Sequence, residues 1–129
     1  MTITRLIVYT SIAIFFTPWA HAAPEQACTA QATSRIASIT ALPAAIRSHI
    51  ASYRADETPI ADAGEAFNAG DVILDKTPQR RFVSATSSGD CIFVTIEYGG
   101  RGYFVRTFNF WRNHDAWTYF ETRPGTSAP

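Results

Sequence analysis

The chain is poor in the residues that most often carry chemistry. It has two cysteines, one methionine and three histidines. It contains no C-x-x-C pair, no H-E-x-x-H and no G-x-S-x-G elbow. Those absences remove the commonest short signatures of zinc sites, metalloproteases and α/β hydrolases. Acidic residues do cluster between positions 56 and 75. Their spacing departs from the D-x-[DN]-x-[DN]-G loop, whose ligands must converge within about twelve residues to hold calcium. No metal site and no cofactor are expected. No apolar run reaches the roughly 20 residues that span a bilayer core. Eleven basic residues balance eleven acids, which argues against nucleic acid as a partner, because phosphate backbones select clustered excess positive charge.

What is present begins at the N-terminus. Arg5 precedes an apolar run over residues 6–16, Pro18 breaks it, and Ala20-His21-Ala22 follows. A charged head, a short apolar middle and an A-x-A site are the three parts of a secretory signal. Residues 1–22 are therefore expected to direct export and to be removed, with residues 23–122 forming one domain and residues 123–129 a disordered tail. The expected location is the periplasm or the medium, with no stable membrane insertion after cleavage. Cys28 and Cys91 both survive cleavage. In an oxidising compartment an isolated pair is expected to bond. Closing a loop of this size stabilises a small domain by roughly 2–4 kcal/mol.

The charge is unevenly spread. Residues 23–78 carry four basic side chains and seven acids, and residues from 79 onward carry six arginines and four acids. An arginine-bearing second half that meets an acidic partner is one reading of that split.

The order of elements is α+β. Ile36, Ile39, Leu42, Ile46, Ile50 and Tyr53 recur at steps of three and four, a helical stripe. Pro43 lies inside it, so the helix is expected over residues 43–53, after a looser helical turn. Residues 55–70 read as a long loop, and residues 71–76 as a short strand. Four strands then follow, over 80–86, 91–98, 101–112 and 116–122. Gly99-Gly100 predicts a tight type I′ hairpin. The expected architecture is one amphipathic helix packed on a four- to five-stranded antiparallel meander. A curled sheet wrapping a helix, as in cystatin-like domains, is one arrangement with that order.

Candidate functional residues are few. His49 borders the helical stripe and would gain an orienting carboxylate if the helix docked near Glu97. His114 sits in a predicted turn beside Asp115. Residues 101–108 resemble the ribonucleoprotein consensus strand of RNA-recognition motifs, but lack its small residue after the first aromatic. With a strand period of two, that gap moves each later side chain to the other face and separates the stacking aromatics. What remains is an aromatic and arginine surface. In the longest strand Phe104, Arg106, Phe108 and Phe110 alternate with Tyr103, Val105, Thr107 and Trp111. The phenylalanine side suits the helix. The other side is expected to expose Tyr103 and Trp111, with Trp117 or Tyr119 nearby and Arg101 at the hairpin tip. Trp, Tyr and Arg dominate binding hot spots. The partner-binding candidates are Arg101, Tyr103, Arg106, Trp111, Trp117 and Tyr119, together with the 55–70 loop.

The reading that follows is a small exported, non-enzymatic domain that binds another protein, in the manner of a periplasmic inhibitor or immunity protein acting on a hydrolase. A carrier with an aromatic small-ligand pocket between helix and sheet is a second reading. A hydrolase using His49 or His114 is a third. N-terminal sequencing of the exported product is expected to start at Ala23, and a product that keeps Met1 refutes the leader.

Overall fold

The computed structural model describes residues 28, 33–54, 59–72, 74 and 76–121; the leader (1–22) and the tail (123–129) lie outside these residues. Its central element is the strand whose sequence alternates most cleanly. Ile92, Val94, Ile96 and Tyr98 point to one side and Cys91, Phe93, Thr95 and Glu97 to the other, because successive side chains of a strand project to opposite faces. In chain order the elements are β1 (Thr33–Ile36), a 3₁₀ turn (Ile39–Ala41), α1 (Ala44–Ser52), β2 (Ile60–Ala61), β3 (Arg80–Ser88), β4 (Cys91–Tyr98), β5 (Phe104–Asn113) and β6 (Ala116–Phe120). They form one helix on a six-stranded sheet of order β1-β3-β4-β5-β6, with β2 beside the start of β3. Every pairing is antiparallel except β2 with β3. The α+β class holds. Two short strands, β1 and β2, join the four expected from the sequence.

The helix face of the sheet carries the core. Ile46 and Ile50, four apart on α1, are wholly buried with Phe82, Val94, Ile96 and Phe108. Burying each such side chain contributes about 1.5–3 kcal/mol. Pro43 precedes the first helical residue, where its fixed φ suits the turn and its missing N–H costs nothing. At the other end Arg80, 3% exposed, donates to the carbonyls of Ala51 and Tyr53, both at 3.2 Å. A cation there complements the helix dipole and satisfies carbonyls left open by the last turn.

The 3₁₀ turn is tied to the chain after β2. The Ser38 hydroxyl and the Ile39 N–H both donate to the Asp62 carboxylate. The Ser38 hydrogen bond holds the Asp62 carboxyl below its ordinary range. At the far end of the sheet a disulfide joins Cys28 to Cys91, with Cα atoms 5.6 Å apart. It fastens residue 28 to the first residue of β4.

The helix expected over residues 43–53 forms over Ala44–Ser52 behind a 3₁₀ turn at Ile39–Ala41, while Ile36, at the head of the apolar stripe, lies in β1. Two further expectations change. The strand expected over 71–76 does not form in the described part of that segment. Val72 and Leu74 are 67% and 52% exposed, and the edge of β3 is taken by β2 and β1. The Val72 carbonyl instead accepts from the Asn68 side chain. The β4–β5 connection is also not a two-residue turn: residues 99–103 separate the strands.

Gly100 alone of the Gly99-Gly100 pair has positive φ, +105°. Gly99 is needed for a different reason, because the 68–70 backbone lies against it. Gly99 N–H donates to Gln79 at 2.7 Å and Gly100 N–H to the Gly70 carbonyl at 3.0 Å. A Cβ on Gly99 would sit 1.9 Å from the Asn68 carbonyl oxygen and 2.9 Å from Ala69 Cα. Both are backbone atoms, so the loop itself must move. Gly99→Ala is expected to cost about 1–3 kcal/mol in urea denaturation. Gly102→Ala, whose added carbon meets nothing within 4 Å, is expected to stay within about 0.5 kcal/mol of the parent.

Candidate functional site

The β4–β5 register decides which side chains can act together. Ile92, Val94, Ile96 and Tyr98 lie opposite Phe110, Phe108, Arg106 and Phe104. The β5–β6 register then sets Phe110 opposite Tyr119 and Arg112 opposite Trp117. Arg106, Trp117 and Tyr119 therefore occupy the helix face, while Trp111 lies on the other face opposite Cys91. This corrects the expectation that Trp117 or Tyr119 accompanies Trp111. The six candidate residues do not make one surface.

On the helix face, Arg106 is enclosed by aromatic hydroxyls. It donates to the hydroxyls of Tyr53 at 2.6 Å and Tyr119 at 2.9 Å, and to Glu121 Oε1 at 3.2 Å. Its guanidinium also lies 4.3 Å over the Tyr53 ring. The Tyr119 hydrogen bond raises the Arg106 pKa further above its ordinary value. His49 stacks on Tyr119, centroids 4.8 Å apart, and meets the Phe110 ring edge-on at 5.4 Å. A small groove of about 220 Å³ opens here beside Arg106, Thr107, Tyr119 and Glu121.

On the other face, Glu97 is 7% exposed and accepts from Arg81 Nε and from the Tyr103 hydroxyl, the latter at 2.9 Å. Phe67 places its ring 4.2 Å from the Arg81 guanidinium, and the Glu65 carbonyl accepts from Arg81 at 2.9 Å. The 62–68 loop thus covers one end of this face. A carboxylate this buried is tolerated because a cation and a hydroxyl both reach it. The same carboxylate holds the Tyr103 phenol above its ordinary pKa, since it stabilises the protonated donor. Tyr103 as a whole is 56% exposed.

The third feature is a surface groove of about 520 Å³ beside the β4–β5 connection, lined by Arg54, Asp71, Gln79, Gly99, Arg101 and Phe104, among others. The Arg54 guanidinium lies 5.3 Å over the Phe104 ring. Neither Arg54 nor Arg101 forms a salt bridge within the described residues. Two unpaired guanidiniums on one groove can accept a carboxylate or another anion with charge-assisted hydrogen bonds.

Arg101 was legible at the hairpin tip and Tyr103 as an exposed residue of the strand expected over 101–112; the strand begins only at Phe104, so both lie in the 99–103 connection. Arg54, Glu97 and Asp71 were not placed with them. Arg54 follows the helix with φ +50°, a conformation that no residue pattern announced. His49 is remote from Glu97, because Glu97 is on the face away from α1. His114 Nδ1 is 2.7 Å from the Asn113 side-chain oxygen. Neither imidazole contacts a carboxylate or a hydroxyl through a hydrogen bond among the described residues. The space between helix and sheet, where a carrier pocket was expected, is filled by Ile46, Ile50, Phe82 and Phe108. Among the described residues no group of three His, Cys, Asp or Glu side chains is placed to hold a metal ion.

Comparison with protein-family models, curated proteins and solved structures finds no match for this chain.

The Glu97–Tyr103 link predicts a titration. Because the Tyr103 pKa is raised in the folded protein, its contribution to stability is complete below pH about 10 and is lost as pH climbs through the folded value. Glu97→Gln is expected to return the Tyr103 phenol toward pH 10, read by NMR of the tyrosine ring carbons.

Proposed function

We propose that this chain is an exported, non-enzymatic domain that binds another protein, with the 99–103 connection and its groove as the contact centre. An inhibitor or immunity protein directed at a hydrolase fits that description. One observation carries the reading: Arg54 and Arg101 line an open groove without a salt-bridge partner among the described residues. Arginine is enriched at binding hot spots, and its planar fork suits an acidic side chain. Tyr103, beside the groove and more than half exposed, adds apolar area with few rotatable bonds.

The export part of the reading rests on the leader-like residues 1–22 and on the Cys28–Cys91 bridge, which persists in oxidising compartments. No helix among the described residues is long and apolar enough to cross a membrane.

The test is a binding measurement on the protein that copurifies with this chain from its host. Arg101→Glu is expected to weaken that complex at least tenfold, about 1.4 kcal/mol. Arg112→Glu serves as the control, since Arg112 already pairs with Asp90 at 2.6 Å near the opposite end of β5. Equal affinity for the parent and the Arg101 variant refutes the groove as the contact centre.

A further inference from the structure

β5 is longer than the strand beside it. It runs from Phe104 to Asn113, but β6 pairs only with residues 109–113, ending at Asn109 opposite Phe120. Residues 104–108 have β4 on one side and no described strand on the other.

The direction of the main-chain groups follows from one hydrogen bond. Arg112 N–H donates to the Asp90 carbonyl at 2.7 Å, just beyond the start of β4. In an antiparallel ladder alternate residues turn their N–H and C=O to alternate neighbours. Even-numbered β5 residues therefore bond to β4, and odd-numbered ones face β6. Past Asn109 the outward groups belong to Thr107 and Val105. No described strand takes them. Natural edges are usually blunted by lysine, proline or a bulge. This one offers Val105, 51% exposed, and next to it Tyr103, 56% exposed.

The chain's own continuation is a poor occupant. Extending the β6 register would set Arg123 opposite Arg106 and Pro124 opposite Val105. Like charges directly opposite are destabilising, and proline has no N–H for the ladder. A second copy paired symmetrically about Arg106 meets the same like-charge clash.

The surroundings specify what fits. On the helix side of the open edge stand Arg106, already held by Glu121 and the Tyr53 and Tyr119 hydroxyls, and Arg54, whose guanidinium lies over Phe104 and makes no salt bridge among the described residues. Arg101 follows on the adjoining connection. On the other side stand Thr107, Val105 and Tyr103. A strand added here puts one side chain toward the arginines and its two neighbours toward the threonine, valine and tyrosine.

We infer that the open edge of β5 is a strand-addition site for an extended segment of a partner protein, with an acidic residue opposite Phe104 facing Arg54 and β-branched residues on either side of it. The inference rests on the protein-binding reading above and names the form the partner takes. Main-chain hydrogen bonds to Val105 and Thr107 give affinity, and the acid gives specificity. The edge runs into the Arg54–Arg101 groove at Phe104, so both belong to one contact.

The test uses the whole purified chain and the peptide acetyl-Thr-Val-Glu-Val-Thr-amide, at about 5 mM so that a Kd near 1 mM is visible. The expected result is roughly fivefold slower amide exchange at Val105 and Thr107, because 5 mM peptide leaves about one site in six free at that Kd. A peptide with lysine for the glutamate should bind at least tenfold more weakly, and one N-methylated at both valines should give no protection. Val105→Pro removes an outward donor that the fold does not use and should abolish protection. If that variant does not fold, the N-methylated peptide makes the same cut from the ligand side.

Two results overturn the inference. One is no change at either amide with any peptide. The other is full protection at both amides in the peptide-free chain, which means that the chain itself or a second copy fills the edge. The two proposals separate cleanly. If Arg101→Glu weakens the copurified complex and Val105→Pro does not, the binding reading stands and strand addition fails.

Discussion

The pairing of β4 with β5 is the constraint on which the other features depend. It runs without a break through eight residue pairs, from Cys91 with Trp111 to Tyr98 with Phe104. Side chains in a sheet have a period of two, so a slip of one residue would exchange the faces completely. The observed register brings Ile92, Val94 and Ile96 to the same side as Phe108 and Phe110, which seats α1. It also sends Glu97 to the other side, where Arg81 and Tyr103 reach it.

Arginine is used in three physical settings. Arg80 is buried and neutralises the end of α1. Arg81 and Arg106 are half-buried, each fixed by oxygen acceptors and an aromatic ring. Arg54 and Arg101 are exposed on one groove without an ion-pair partner among the described residues. The first three side chains are committed to the fold, since removing them would strand carbonyls, hydroxyls or a carboxylate. The last two keep their donors available. Burial and partner count thus separate structural from available guanidiniums in a way that composition does not.

Much of the sheet was legible in the sequence, for a physical reason. β4 alternates almost perfectly because one face is core and the other is not, and its bounds match the pattern at Cys91 and Tyr98. The phenylalanines of β5 likewise announced the helix side. β1 and β2 were not visible, because Thr33, Ser34 and Arg35 are exposed and a two-residue strand has no period. The candidate site was only partly legible. Arg101 lies at the tip as expected, whereas Tyr103, expected in the strand, belongs to the longer connection. Trp117 and Tyr119 were assigned to the wrong side, because the face of β6 depends on the length of the turn at His114. His114 has φ +57° in a two-residue connection, and that parity cannot be counted until the strand ends are known. Arg54 reaches the groove through tertiary placement of the helix end, which no local pattern encodes.

β3 carries one residue more than its partner between Phe82 and Ser84. Phe82 and Ala85 therefore both lie under the helix although they are an odd number apart, and Val83 is displaced outward, 39% exposed. The insertion works like a reading-frame shift written in side-chain direction. Upstream of it even numbers point inward, and downstream odd numbers do. Loss of any other single residue inside the paired part of β3 would turn part of the strand inside out. Val83 is the one position whose removal leaves the register intact, since Phe82, Ser84 and Ala85 already face the consecutive residues Ile96, Thr95 and Val94. A deletion elsewhere inside the paired strand needs a compensating insertion to keep Phe82 and Ala85 under α1, whereas a deletion at the bulge straightens the ladder and keeps both inward.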